Sequence, residues 1–230
     1  MNKYTNPEFI ADLKDYVRRH PVLRNDWLTE KKRKITRDDI IFFLTQEYYV
    51  SVDFVNWFLL AASLTDNQTA KTVLVENIWE ELGEGNVENS HVNILVAFLL
   101  KIGFRIEENR IMEKTSEYLF EMKRIIGSGF YTALGALGPA NEYLLKLEYG
   151  KICNAYNDLR KIALLPEASF FDVNLKADLS HSEKMFRLID TICDTDEKRE
   201  AVYSGNTRAL EVRMIFYEGL MSGSFLQKIH

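Results

Sequence analysis

Apolar residues recur along this chain at three- and four-residue intervals, and the pattern breaks at a few glycine- or proline-marked points. This period places one face of each segment in a core, as amphipathic helices require. No alternating stretch with an Asn-Gly or Asp-Gly turn is present, so the spacing predicts an all-helical fold. Asn6 caps a first helix to about His20, with Pro7 at its first position. A second starts after Thr36, where Asp38 and Asp39 suit the positive end of the helix dipole, and runs through Ile40, Phe43, Tyr48, Val52, Leu59 and Ala62. Asp66 caps a third that ends at Leu82, before Gly83-Glu84-Gly85-Asn86. A fourth covers about Asn89 to Ile102, and a fifth Met112 to Ile126. A sixth covers Phe130 to about Leu159, with Gly138 and Pro139 bending it just before Glu142. A seventh follows Pro166 to about Cys193. An eighth opens at Asp196, with a break expected near Ser204-Gly205-Asn206 before Thr207 to Leu226. No repeat or linker divides the chain, so one domain of seven or eight helices over residues 1–230 is the economical reading.

Composition narrows the function classes. The 230 residues suffice for a sizeable core, and a formal net charge of −5 gives no reason to expect nucleic-acid binding. The one basic run, Lys31 to Lys34, reads as a solvated loop. The most apolar stretches carry Glu47, Asp53 or Lys101, so none makes a good membrane span. Cys153 and Cys193 lie far apart and outside any Cys/His cluster, which fits reduced thiols. With no apolar run at the N-terminus, a cytoplasmic location is expected.

The candidate chemistry sits on few residues. Asn174, Asp178 and His181 follow i, i+4, i+7 spacing and share one helix face. Of the four histidines, His91 and His181 are the interior candidates. Glu81 closes one helix and His91 opens the next across a glycine-rich turn. Glu88 precedes His91 at Glu-x-x-His spacing, and Glu142 follows the Pro139 bend. Carboxylates and imidazoles projecting inward from several helices are how helical bundles hold a pair of redox metals. Each has a plainer reading as a solvated carboxylate or a hydrogen-bonded core histidine.

Taken together, these residues resemble the haem-oxygenase-like di-iron oxidases and oxygenases, a group that includes the chlamydial death-domain-associating protein. The resemblance spans nearly the whole chain, from His20-Pro21-Val22-Leu23 to the seventh helix. It implies a haem-oxygenase-like bundle with Glu81, His91, Glu142, Asp178 and His181 as iron ligands. The group's His-x3-Asp-x2-His triplet is matched here except that Asn174 stands at its first position. An amide oxygen is a poorer iron ligand than imidazole. The resemblance therefore implies two Fe(II), one firm and one weak, with Glu88 or Asp172, and Asp53 or Glu47, as extra carboxylates. It further implies dioxygen and a small amino-acid-like metabolite as substrates, and such bundles commonly pair as homodimers. Tyr48, Tyr49, Trp79, Phe130, Tyr131 and Tyr143 are candidate pocket walls. Lys151 lies one residue short of a functional lysine position in the chlamydial member. Two other readings stand beside this one. The first is a TenA- or PqqC-like enzyme without metal, although Cys153 lies well past the position expected of a nucleophile. The second is a non-catalytic interaction protein with a decayed metal site.

Overall fold

The computed structural model describes residues 6–223, apart from the side chains of Glu30, Lys31, Lys32, Arg33, Glu108, Asp178 and Leu179. All regular structure among them is helical: α1 (Asn6–Arg19), α2 (Asp26–Lys34), α3 (Arg37–Ser63), α4 (Gln68–Glu81), α5 (His91–Lys101), α6 (Glu113–Gly127), α7 (Phe130–Leu137), α8 (Leu144–Arg160), α9 (Ser169–Ile192) and α10 (Asp196–Ser222). The all-helical expectation holds, with three local corrections. The segment holding the basic run is helical: Asn25 caps α2 by accepting from the Leu28 amide, and buried Trp27 and Leu28 anchor it. The expected sixth helix is α7 and α8 joined by a π-helical stretch, Gly138–Tyr143. The eighth is unbroken to Ser222, and its predicted end at Leu226 lies outside the described residues.

Local chemistry explains these boundaries. Thr36 and Asp39 form a reciprocal capping box at the start of α3, and Asn67, not Asp66, caps α4. Gly205 does not interrupt α10 because it makes a close helix crossing possible. A Cβ there would lie 2.0 Å from the Thr132 carbonyl oxygen, and one on Gly135 would lie 1.9 Å from that of Val202. α10 therefore packs backbone to backbone on α7, and also covers α6. On the other side, α4 and α5 pack on α3 and α9, while the π-helical stretch rests on α9, α8 and α1. One continuous core fills the interior, rich in Trp27, Phe43, Phe98, Tyr149, Phe170 and Phe171. Because α4, α5, α9 and the π-helical stretch converge, their inward side chains meet.

Candidate functional site

The turn after α4 delivers the first pair. Gly83, Glu84 and Gly85 all have positive φ (85°, 53° and 89°), and a Cβ on Gly83 would sit 2.3 Å from the Asn86 carbonyl oxygen. Such a reversal requires glycine at that point. Ser90 then caps α5 by accepting from the Asn93 amide, so His91 starts that helix directly opposite the end of α4. His91 Nδ1 lies 2.9 Å from Glu81 Oε2, with both side chains about 10% exposed.

The second pair comes from longer range. The π-helical stretch contains Pro139, which has no N–H to donate, and it buries Glu142 completely. From α9, the fully buried His181 places Nδ1 3.5 Å from both Glu142 Oε2 and Glu81 Oε1. Its Nε2 lies 2.6 Å from Glu80 Oε2, and Lys184, one turn on, donates to Glu80 Oε1 at 2.5 Å. The His91 and His181 rings are roughly parallel, 6.5 Å apart.

Electrostatics follow from this crowding of carboxylates. Burial disfavours a charged His181, but Glu142, Glu81 and Glu80 outweigh it and push its pKa up to about 10. His91 is raised too, because Glu81 overcomes the effect of burial. Burial pushes Glu142 up against the pull of His181. Glu80 is also opposed by burial, yet Lys184 and His181 hold it below the usual carboxylate range. Three carboxylates thus surround one ammonium and two imidazoles.

Both Glu142 oxygens and His181 Nδ1 are buried without a hydrogen-bond partner among the described residues. Buried carboxylate oxygens in that state call for a cation or a proton donor. Carboxylates and imidazoles of this kind suit a ferrous ion, so the donor chemistry fits one. Among the described residues, no three His, Cys, Asp or Glu side chains are already arranged around a point where a metal would sit. His181 Nε2 is turned to Glu80 instead.

The structure thus brings Glu81, His91, Glu142 and His181 together and adds Glu80 and Lys184, which sequence reasoning missed. The signal was available: Lys184 is three residues beyond His181 on the same face, and Glu80 adjoins Glu81 at the helix end. The side chain of Asp178 lies outside the described residues. Asn174 is buried one helix turn before it and donates to the Phe170 carbonyl of its own helix at 2.8 Å. The other candidates lie elsewhere. Glu88 is exposed on the short turn before α5, and Asp172 is exposed on α9. Asp53 accepts from Asn56 on the outer part of α3. Trp79 is 55% exposed and so lines no interior wall. Tyr48 and Tyr49 meet edge to face and are half-buried, Phe130 packs on Tyr131, and Tyr143 packs on Phe186. Lys151 donates to the Leu23 carbonyl at 2.5 Å. Cys153 and Cys193 are free and buried; burial raises both thiols, Cys193 to about 12, which leaves neither as a ready nucleophile.

Glu47 belongs to a different buried centre. Arg213 on α10 bonds Glu47 through Nη2, and bonds Glu148 Oε2 through Nη2 (2.9 Å) and Nε (3.2 Å). All three are at most 1% exposed, which accounts for Glu47's absence from the histidine cluster. The Tyr149 hydroxyl reaches Glu47 Oε2 at 3.4 Å, and the guanidinium lies over the Phe216 ring at 4.2 Å. No helix among the described residues is long and apolar enough to cross a membrane.

Comparisons agree with this architecture. A CADD-like protein of unknown function from Nostoc punctiforme superposes with a TM-score of 0.80 at 18% identity, covering 94% of this chain and 97% of that one. A domain of unknown function with a haem-oxygenase-like fold from Shewanella denitrificans gives 0.74 at 18%, covering 96% and 93%. A TenA homologue from Pseudomonas syringae gives 0.68 at 13%, covering 94% and 92%. At these identities the likeness shows the haem-oxygenase-like fold alone. No curated protein matches the chain. The family model described as iron-containing redox enzyme matches residues 41–214, which include every residue of the histidine–carboxylate cluster, and the chain belongs to that family.

Proposed function

We propose that the protein is an iron-dependent oxidase or oxygenase that uses dioxygen to oxidise or fragment a small amino-acid-like metabolite. One observation carries the reading: Glu142 is fully buried among Glu81, His91 and His181, with neither oxygen in a full hydrogen bond and His181 Nδ1 3.5 Å from Oε2. Together with the family's description, that donor set supports a metal centre. Glu81, His91, Glu142 and His181 would hold iron, with Asp178 contributing from the turn of α9 before His181. When bound, iron supplies the electron transfer and oxygen activation that these side chains cannot perform.

The chain's own residues have separable duties. His91 and His181 would have to be neutral to ligate iron, while the surrounding carboxylates favour their protonated forms. Lys184 keeps Glu80 charged, and Glu80 fixes the orientation of the His181 ring, as a carboxylate behind a ligating histidine does. Glu142 and His181 are fully buried, which keeps water from that side of the site. Asn174 offers a neutral amide in place of an imidazole, so one of two iron positions is expected to be weak.

A second reading, a metal-independent enzyme in the manner of TenA, is favoured by a different observation. The Glu80–His181–Lys184 contacts satisfy one another without a metal, and no described trio of donors is arranged for one. Anaerobic Fe(II) titration separates the two. Uptake of one firm equivalent, with or without a weaker second, supports the iron reading; no uptake in wild type would leave the metal-independent one.

A further inference from the structure

The π-helical stretch needs something to hold it open. Such turns are rare and frequently mark functional sites. Pro139 also withdraws the N–H that the Gly135 carbonyl would receive in ordinary winding. A side chain stands in nearby. Asn141, 2% exposed, donates from its amide nitrogen to the Ala136 carbonyl at 2.9 Å, which ties the wide turn back to α7. A carbonyl can only accept, so the orientation of this amide is fixed and its oxygen is turned the other way. That oxygen faces the Tyr118 hydroxyl of α6 at 3.5 Å.

Tyr118 is held in turn. It is 1% exposed and meets Trp57 edge to face at 6.0 Å. The Arg213 guanidinium lies 5.4 Å from its ring and hydrogen-bonds its hydroxyl. Arg213 also holds Glu47 of α3 and Glu148 of α8. Glu142 follows Asn141 directly, and Glu148 lies on the helix that continues from it. The stretch is therefore fastened on both sides, to α7 and α6 through Asn141 and to α10 through Glu148. No bond of this network reaches the oxygens of Glu142, so the backbone that carries Glu142 sets its direction. Packing alone does not call for these groups. A phenylalanine at 118 and an apolar residue at 141 would fill the same space without burying a hydroxyl and an amide. A satisfied polar chain in a core instead selects one defined arrangement.

We propose that Asn141 and Tyr118 are positioning residues for Glu142. They hold the wide turn of the π-helical stretch, and so aim the buried carboxylate at His181 and at the iron position beside it. Arg213, with its two carboxylates, anchors this chain of side chains. The inference rests on the iron reading for its purpose, while the geometry it describes exists without metal.

The test uses full-length Tyr118→Phe and Asn141→Ala, with Thr115→Val as control. Thr115 is fully buried on α6, and its hydroxyl bonds Gln46 of α3 at 2.9 Å rather than the π-helical stretch. Amide hydrogen exchange without metal reads the turn directly. Exchange across residues 140–144 should rise about five- to tenfold in both variants, the worth of one hydrogen bond, and keep the wild-type rate in Thr115→Val. Anaerobic Fe(II) titration reads the consequence. Both variants should bind the firm iron about 10–100-fold more weakly, the range for residues behind metal ligands, with the control unchanged. Wild-type exchange in both variants overturns the proposal, as does wild-type iron affinity in both, or an equal loss in Thr115→Val. If Asn141→Ala does not fold, Tyr118→Phe decides, since it removes a single oxygen atom. A wild type that takes up no iron removes the iron reading, and exchange still decides whether Asn141 and Tyr118 position Glu142. A wild type that binds iron no better than the variants overturns the positioning alone.

Discussion

Replacing Gly135 with alanine is a demanding test of the α7–α10 crossing. The new methyl would sit 1.9 Å from the Val202 carbonyl oxygen, 2.7 Å from its carbonyl carbon and 2.9 Å from the Asn206 nitrogen. All three are backbone atoms of α10, so no rotamer change relieves the clash. Restoring a contact of roughly 3.5 Å requires the helices to part by about 1.5 Å. Overpacking a core costs about 1–3 kcal/mol, and a backbone clash between two buried helices belongs at the upper end. At 2–4 °C per kcal/mol for a chain of this size, Tm should fall by roughly 6–12 °C. Gly150 is the control, since it lies within α8 and nothing approaches its Cβ position within 4 Å. Gly150→Ala should be neutral or stabilising by up to about 1 kcal/mol, as alanine is the better helix former. Calorimetric or urea unfolding of both variants reads the difference. A Gly135→Ala loss below about 1 kcal/mol, or an equal loss at Gly150, refutes the close crossing.

Other outcomes follow from the two buried centres. Asn174→His should tighten the weaker iron in anaerobic Fe(II) titration, and unchanged affinity means that position 174 does not face the metal. Arg213→Met should cost about 3–5 kcal/mol in urea unfolding, because it strands two buried carboxylates; a loss below about 1 kcal/mol contradicts the pairing. Burial, opposed by Arg213, raises both Glu47 and Glu148 above the ordinary carboxylate value of 4.5. Folding therefore takes up protons at these groups, and their contribution is complete below pH 4.5 and lost as pH rises through their raised values. Glu148→Gln should flatten that decline in unfolding measurements against pH; an identical slope in wild type and variant argues against it.

Much of this was legible in the sequence, for physical reasons that also mark the boundary. Amphipathic segments such as α1 and α6 declared themselves because a single face is buried, and α3 by its length and capping box, although it is buried all round from Ile40 to Glu47. α2 did not, because its basic run reads as loop while its burial depends on Trp27 and Leu28 meeting α8 and α10. Gly205 read as a breaker, since glycine lowers helix propensity, but the close approach of Thr132 determines its role. Glu81 and His91 were legible because a short glycine turn brings neighbours together. The Arg213 centre was not: its partners lie 65 and 166 residues away, and only Arg213's place among Val212, Met214 and Phe216 hinted at it.

The π-helical stretch carrying Glu142 has a consequence for how such a site can change. A widened turn of this kind amounts to one surplus residue accommodated inside a longer α-helix. Excising a single residue there would restore ordinary winding while α7 and α8 keep their places, and the side chains within that one turn would be reassigned. The scaffold would keep its shape while a different side chain took the place of Glu142. One-residue insertions and deletions in this stretch are thus a route by which proteins of this architecture can acquire or discard a buried carboxylate without rebuilding the bundle.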